Sequence, residues 1–166
     1  MTNKIYIGVM TGTSHDAVDV SLIKVGKKIT LKYFHTKKFS KSLRLKIKNL
    51  IEANESSLSD LGSLNKEIGY FFSRAINDAI KLSRTKKSSI KSVAISGQTV
   101  RHEINKRYPF SMQIGDPNIV AKETNLLVVS DFRNMHIAMG GEGAPLVPEF
   151  HNQLFYKTRS PRVVLN

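Results

Sequence analysis

The sequence contains no cysteine, so neither a disulfide nor a thiolate metal site is available to it. No apolar run approaches the roughly 20 residues of a membrane span, so no membrane partner is expected. The N-terminal residues pass directly into a strand-like run with polar flanks, so no signal peptide is expected, and a reducing cytoplasm is the expected compartment. Acidic residues are absent between Val20 and Ile51, where ten Lys/Arg stand, and the whole chain carries +13. Such a run could attract nucleic acid or anionic lipid. Its lysines, however, alternate with Ile29, Leu31 and Tyr33 and then sit between Leu43, Leu45 and Ile47, which reads as the solvated face of ordinary elements. Nucleic acid is therefore not the expected partner. The five histidines include no pair at ligand spacing on one helix, and no structural metal is assigned. Internal repeats, low-complexity tracts and linkers are also missing, so 166 residues make one domain, long enough to bury about 70% of its unfolded surface.

What stands out is Gly8 to Asp19, Gly-Val-Met-Thr-Gly-Thr-Ser-His-Asp-Ala-Val-Asp. Ile5, Tyr6 and Ile7 lead in as a β-prone run, and the alternation of Val18, Val20 and Leu22 leads out, which is a hairpin pattern. The tip offers Gly12, expected to take a positive φ, the hydroxyls of Thr13 and Ser14, and the carboxylates of Asp16 and Asp19. Backbone N–H groups in such a turn cradle a phosphate, and a carboxylate behind it holds the hydration shell of a Mg²⁺. An ordinary Gly/Thr/Ser hairpin turn is the competing interpretation.

In chain order, Lys4–Met10, Ala17–Val25 and Ile29–Phe39 read as three consecutive strands, the last two joined by Gly26-Lys27-Lys28. A helix follows from Ser40 to Ala53, and Ser57 to Asp60 opens a longer one with Leu64, Ile68, Phe72 and Ile76 on its buried face. Ile90–Ile95 is a short strand before Ser96-Gly97-Gln98-Thr99. Arg101 to Phe110 is expected to be irregular, with a short strand at Ser111–Ile114. Asp116 and Pro117 suit the N-cap and first position of a helix. Leu126–Ser130 has the unbroken apolarity of a sheet centre. Asp131–Met139 is expected to be helical up to Gly140-Gly141, Pro148 to Tyr156 forms another helix, and Val163-Val164-Leu165 begins a strand. Three strands followed by alternating helices and strands is the plan of the ribonuclease H-like lobe of actin and sugar kinases: α/β, with a five-stranded mixed sheet whose first hairpin is the phosphate loop.

Several stretches together resemble the anhydro-N-acetylmuramic acid kinase family. Gly8 to Asp19 is similar to its nucleotide motif and Gly97-Gln98-Thr99-Val100 to its Ser-His-Gly-Gln-Thr segment. Gln113 to Asp116, Val129 to Arg133 and Gly140 to His151 follow in the family's order. The resemblance implies a kinase that uses ATP and Mg²⁺ to open the 1,6-anhydro ring of anhydro-N-acetylmuramic acid and phosphorylate it to N-acetylmuramic acid 6-phosphate. Carried over, Gly12, Thr13, Ser14, His15, Asp16, Ala17, Val18 and Asp19 would contact the nucleotide phosphates. Gln98 would meet sugar hydroxyls and Arg133 the lactyl carboxylate, unless Arg133 is instead paired with Asp131 or Asp116. Gly140, Gly141 and Gly143 suit either a phosphate loop or close backbone packing. His15, Ala17, Ser96, His136 and Glu142 depart from the family pattern, and Ala17 is tolerable only at negative φ.

The family's water-activating aspartate belongs to a motif beyond Asn166, so no catalytic residue is assigned here. Residues 1–166 then form a single N-terminal lobe, expected to be inactive alone. A separate C-terminal lobe chain or a homodimer is the implied macromolecular partner. The alternative is a basic, non-catalytic binding module that keeps the fold.

Overall fold

The structure is a computed structural model and describes residues 4–12, 14–53, 55–156, 160 and 163. Three antiparallel strands, β1 (Lys4–Thr11), β2 (Ala17–Val25) and β3 (Ile29–Lys38), open the chain. The period-two alternation sets their register. Ile7 stands opposite Leu22 and Val9 opposite Val20, all buried on one face. Ser40 caps α1 (Lys41–Glu52) by accepting from the Leu43 N–H, and Ser57 caps α2 (Leu58–Leu82) by accepting from Ser59 and Asp60. The buried stripe of α2, Ile68, Phe72, Ala75, Ile76 and Ala79, lies across β1, β2 and β3. Phe39 and Phe71 stack beside it, centroids 4.6 Å apart.

The two helices form the crossover that brings β4 (Ile90–Ile95) parallel to β1. After β4 the chain leaves the sheet for β5 (Gln98–Glu103) and β6 (Phe110–Ile114), an antiparallel pair with its own small sheet. It returns through α3 (Pro117–Thr124), capped by Asp116 with Pro117 in its first turn, to β7 (Val128–Val129), parallel to β4. Then come α4 (Phe132–Ala138) and α5 (Pro148–Phe155), neither of which buries a residue. The main sheet has the order β3-β2-β1-β4-β7. The fold is therefore α/β, a five-stranded mixed sheet with flanking helices, as the sequence predicts. Among the described residues no helix is long and apolar enough to cross a membrane.

Two local expectations need correction. Of the stretch expected to be irregular, Ile104 to Pro109 is so, but Arg101 to Glu103 and Phe110 are strand, within the pairing of Gln98–Glu103 with Phe110–Ile114. Val100 is the one apolar residue of β5, so periodicity carries no signal there, and across the pair Thr99 and His102 meet Gln113 and Ser111. Arg101 also reaches back to α1, where Nη1 donates to the Ile51 carbonyl at 2.5 Å and Nη2 to that of Ala53. The second correction concerns Leu126–Ser130. Only Val128 and Val129 are strand, and they lie at the sheet's edge among the described residues, with Leu127 63% exposed. The unbroken apolarity reflects an outer flank left open, not two covered faces. Of the strand expected over 163–165, Val164 and Leu165 lie outside the described residues.

Candidate functional site

The β1–β2 hairpin ends at the carboxyl end of β1, beside the carboxyl end of β4. Its tip closes as a turn in which the His15 N–H donates to the Gly12 carbonyl at 3.3 Å. Gly12 is not in the left-handed region; His15 is, at φ 52°. The expectation for Gly12 is thus displaced three residues. The turn needs one positive φ where it re-enters β2, and histidine tolerates that region better than bulkier residues. Because the His15 amide is committed to Gly12, it does not face outward as a free donor. Thr13 lies outside the described residues. Ala17 opens β2 opposite Lys38, away from positive φ, as its side chain requires. Val18 is fully buried, so it offers a ligand backbone only.

Charged groups surround the tip. Asp16 Oδ1 is 2.6 Å from Arg44 Nη2, and that nitrogen also lies 3.5 Å from the Ser14 carbonyl. Asp19 accepts a 2.6 Å hydrogen bond from Thr36 Oγ1. Lys37 and Lys38 stand opposite Val18 and Ala17, so they flank the tip end of the hairpin, and Lys37 is 2.7 Å from Asp78. Four of the basic run's cations, Lys37, Arg44, Lys46 and Lys48, have carboxylate partners. That distribution is a mixed-charge surface rather than a bare cationic stripe.

Several contacts fasten the hairpin to the segment after β4. The Ser96 N–H donates to Val9 O at 3.3 Å, Thr11 Oγ1 donates to Gly97 O at 3.1 Å, and Gln98 Nε2 is 3.2 Å from His15 Nδ1. Gly97 has φ 74°, and a Cβ there would come within 2.8 Å of Gln113 Cβ, so glycine is required.

Next to this turn lies a cavity of about 460 Å³ at the carboxyl ends of β4 and β7, where ligands bind in open α/β sheets. Ser96, Ser111, Gln113, Asp131 and Asn134 give it polar walls. Ser111 Oγ accepts from Gln113 Nε2 at 2.6 Å and lies 3.0 Å from His102 Nδ1. The Ser111 N–H donates to Asn134 Oδ1, and Asn134 Nδ2 donates to Asp131 Oδ1 at 2.8 Å. Asp131 itself is held at φ 63°. Sequence reasoning missed this cluster. Its one available signal was position, since Ser130 and Asp131 directly follow an apolar strand.

Neither residue assigned to a sugar lines the cavity. Gln98 is only 1% exposed and faces the hairpin. Arg133 is half-buried and, among the described residues, pairs with no carboxylate: Asp131 is bound by Asn134, and Asp116 by Lys66. Burial alone would raise the Asp116 pKa, but Lys66 and the Asn118 and Ile119 N–H groups outweigh it and hold the carboxyl below its ordinary value. Of the glycines after α4, Gly140 (φ 88°) has open space where a Cβ would stand, while Gly141 and Gly143 are closely packed. A Cβ on Gly141 would collide with the His136 ring. One on Gly143 (φ 75°) would lie 3.1 Å from Ile137 Cδ1 and 3.2 Å from Arg133 O.

The sequence pattern of the family described as anhydro-N-acetylmuramic acid kinase matches residues 4–166. The chain belongs to that family. An anhydro-N-acetylmuramic acid kinase from Gamma-proteobacterium EBAC31A08 is 76% identical over all of this chain and 46% of its own length. Those of Shewanella pealeana and Shewanella amazonensis are 39% and 40% identical over 45% of theirs. The chain thus spans less than half the length of these kinases. A Thermus thermophilus RuvC structure, 14% identical, aligns with 96% of this chain and 84% of its own at a TM-score of 0.36.

Proposed function

We propose that this chain supplies the phosphate-binding lobe of an anhydro-N-acetylmuramic acid kinase and has no turnover by itself. The observation that carries the reading is the juxtaposition of the β1–β2 hairpin with the polar cavity, joined through Ser96, Gly97 and Gln98. The tip suits a polyphosphate: it has the exposed Ser14 hydroxyl and a guanidinium from Arg44. In this reading residues 12–19, Thr13 included, face the phosphates of ATP. The Asp16 or Asp19 carboxylate is directed to the hydration shell of Mg²⁺, and Mg-ATP supplies the transferable phosphoryl group. Arg133, without a carboxylate partner, meets the lactyl carboxylate of the anhydro sugar. Gln98, buried behind the tip, serves the sugar only through its neighbours. The water-activating base and the adenosine pocket belong to a second lobe, which a separate chain or a continuation of this one would provide. The reaction and its cell-wall recycling role belong to that longer assembly, in the cytoplasm.

Amide NMR titration with Mg-pyrophosphate tests the lobe's part. Shifts centred on Gly12 to Ala17 are expected. Lys27→Gln with Lys28→Gln, at the opposite end of the strands, is expected to leave them intact. Shifts that vanish with those lysines and spare the tip would reduce the hairpin to a turn.

A further inference from the structure

Gln98 is almost completely buried, yet one of its polar atoms has no partner among the described residues. Nε2 lies 3.2 Å from both Thr99 O and His15 Nδ1, while Oε1 is buried and unbonded. If space filling were its role, an apolar side chain of the same length would fit without an orphaned acceptor. Turning the amide over would leave Nε2 in the orphaned position instead, so neither orientation satisfies the group locally. The contact that gives the amide a purpose is the one to His15, which has a left-handed backbone at the tip.

We propose that Gln98 is a positioning residue for the hairpin tip: by holding the His15 imidazole it fixes the turn that re-enters β2, and with it the direction in which Ser14 and Asp16 face. The backbone around Gln98 is suited to this. Gly97 is locked by Gln113 on one side and by Thr11 on the other, and Gln98 stands opposite Ile114 in the β5–β6 pair. The small sheet, which walls the cavity, thereby sets the shape of the hairpin. Cavity and tip are mechanically one piece. The consequence for phosphate binding rests on the proposed function; the coupling itself does not.

The test uses the full chain and the variants Gln98→Met, His15→Ala and their combination, with thermal melting as the control for folding. Expected are displaced amide resonances at Ser14 to Ala17 in Gln98→Met, and a displaced Gln98 side-chain NH₂ signal in His15→Ala. For Mg-pyrophosphate, each single change is expected to weaken binding about tenfold, and the double change no further, since both remove one interaction. Gln98→Glu, which keeps an acceptor but no NH₂, is expected to behave like Gln98→Met when His15 Nδ1 is unprotonated. Unmoved tip resonances in Gln98→Met, or losses that multiply in the double variant, overturn the proposal. If Gln98→Met does not fold, the NH₂ signal in His15→Ala decides. If the unaltered chain binds no pyrophosphate, the phosphate-loop reading fails while the resonance arms still decide the coupling.

Discussion

Arg44, in the first turn of α1, places its guanidinium 2.6 Å from the carboxylate of Asp16 at the hairpin tip. Half of each side chain is exposed, so the pair adds little to stability, about 0–1 kcal/mol. Its effect is geometric, since it anchors the tip to α1.

Replacing Arg44 with Ala therefore separates binding from folding. The expected outcome is a melting temperature close to that of the unaltered chain and at least tenfold weaker Mg-pyrophosphate binding by NMR titration. Arg44→Lys restores the charge but not the planar guanidinium whose Nη2 serves both Asp16 and Ser14, so it is expected to recover binding only in part. Equal binding in all three would leave Arg44 as surface decoration.

Asp116 gives a pH dependence of definite sign. Its folded pKa lies below the unfolded value, so its contribution to stability is present above the unfolded pKa, about 4, and is lost as pH falls through the folded value. Urea melts from pH 7 down to pH 2 are expected to show the unaltered chain losing part of its stability below about pH 4. Asp116→Asn keeps a capping oxygen for the Asn118 and Ile119 N–H groups but loses the Lys66 ion pair, and should flatten that acid limb. Parallel acid limbs would show that Asp116 contributes nothing through its charge.

Two glycines should answer oppositely to alanine. Gly115 has φ 116°, and a Cβ there would press on the Phe72 ring and lie 3.1 Å from Ile68 Cγ2, so Gly115→Ala is expected to cost about 1–3 kcal/mol. Gly62, inside α2 with nothing within 4 Å of a built Cβ, is expected to gain about 0.5–1 kcal/mol as Ala. Denaturant midpoints read both.

Coupled ADP release measures activity. The chain alone is expected to show no sugar-dependent turnover with Mg-ATP, because base catalysis contributes about 10²–10⁴-fold and no base is assigned here. Turnover near the roughly 1–100 s⁻¹ of ordinary kinases would contradict the reading.

Most of the fold was legible because its elements carry strong local signals. The alternation in β1 and β2, the caps at Ser40, Ser57 and Asp116, and the stripe of α2 each name their own structure. The misread parts are those whose conformation is set by distant partners. Polar β5 is a strand only because β6 lies opposite, and Leu126 to Val129 looks internal until its neighbours are counted. At the site, the hairpin was visible, but not which of its residues bends back. Gln98 faces His15 across 83 positions of sequence, and Arg44 reaches Asp16 from another helix. Spacing along a chain has no access to such pairings. Asp131 and Asn134 acquire meaning only once β5 and β6 bring Ser111 against them.

The two margins of the main sheet are built differently. At β3 the outer margin carries Lys32, Lys37 and Lys38, and an irregular register opposite Leu22 and Ile23 skews the strand, features that repel an incoming strand. At β7 there is no such guard: Leu127 and Val129 are exposed, and among the described residues nothing pairs beyond them. Among the described residues, the margin open to a further strand is therefore that of β7. A lysine placed at Val129 would act as a gatekeeper on the unguarded side, whereas the same residue added to β3 would change little.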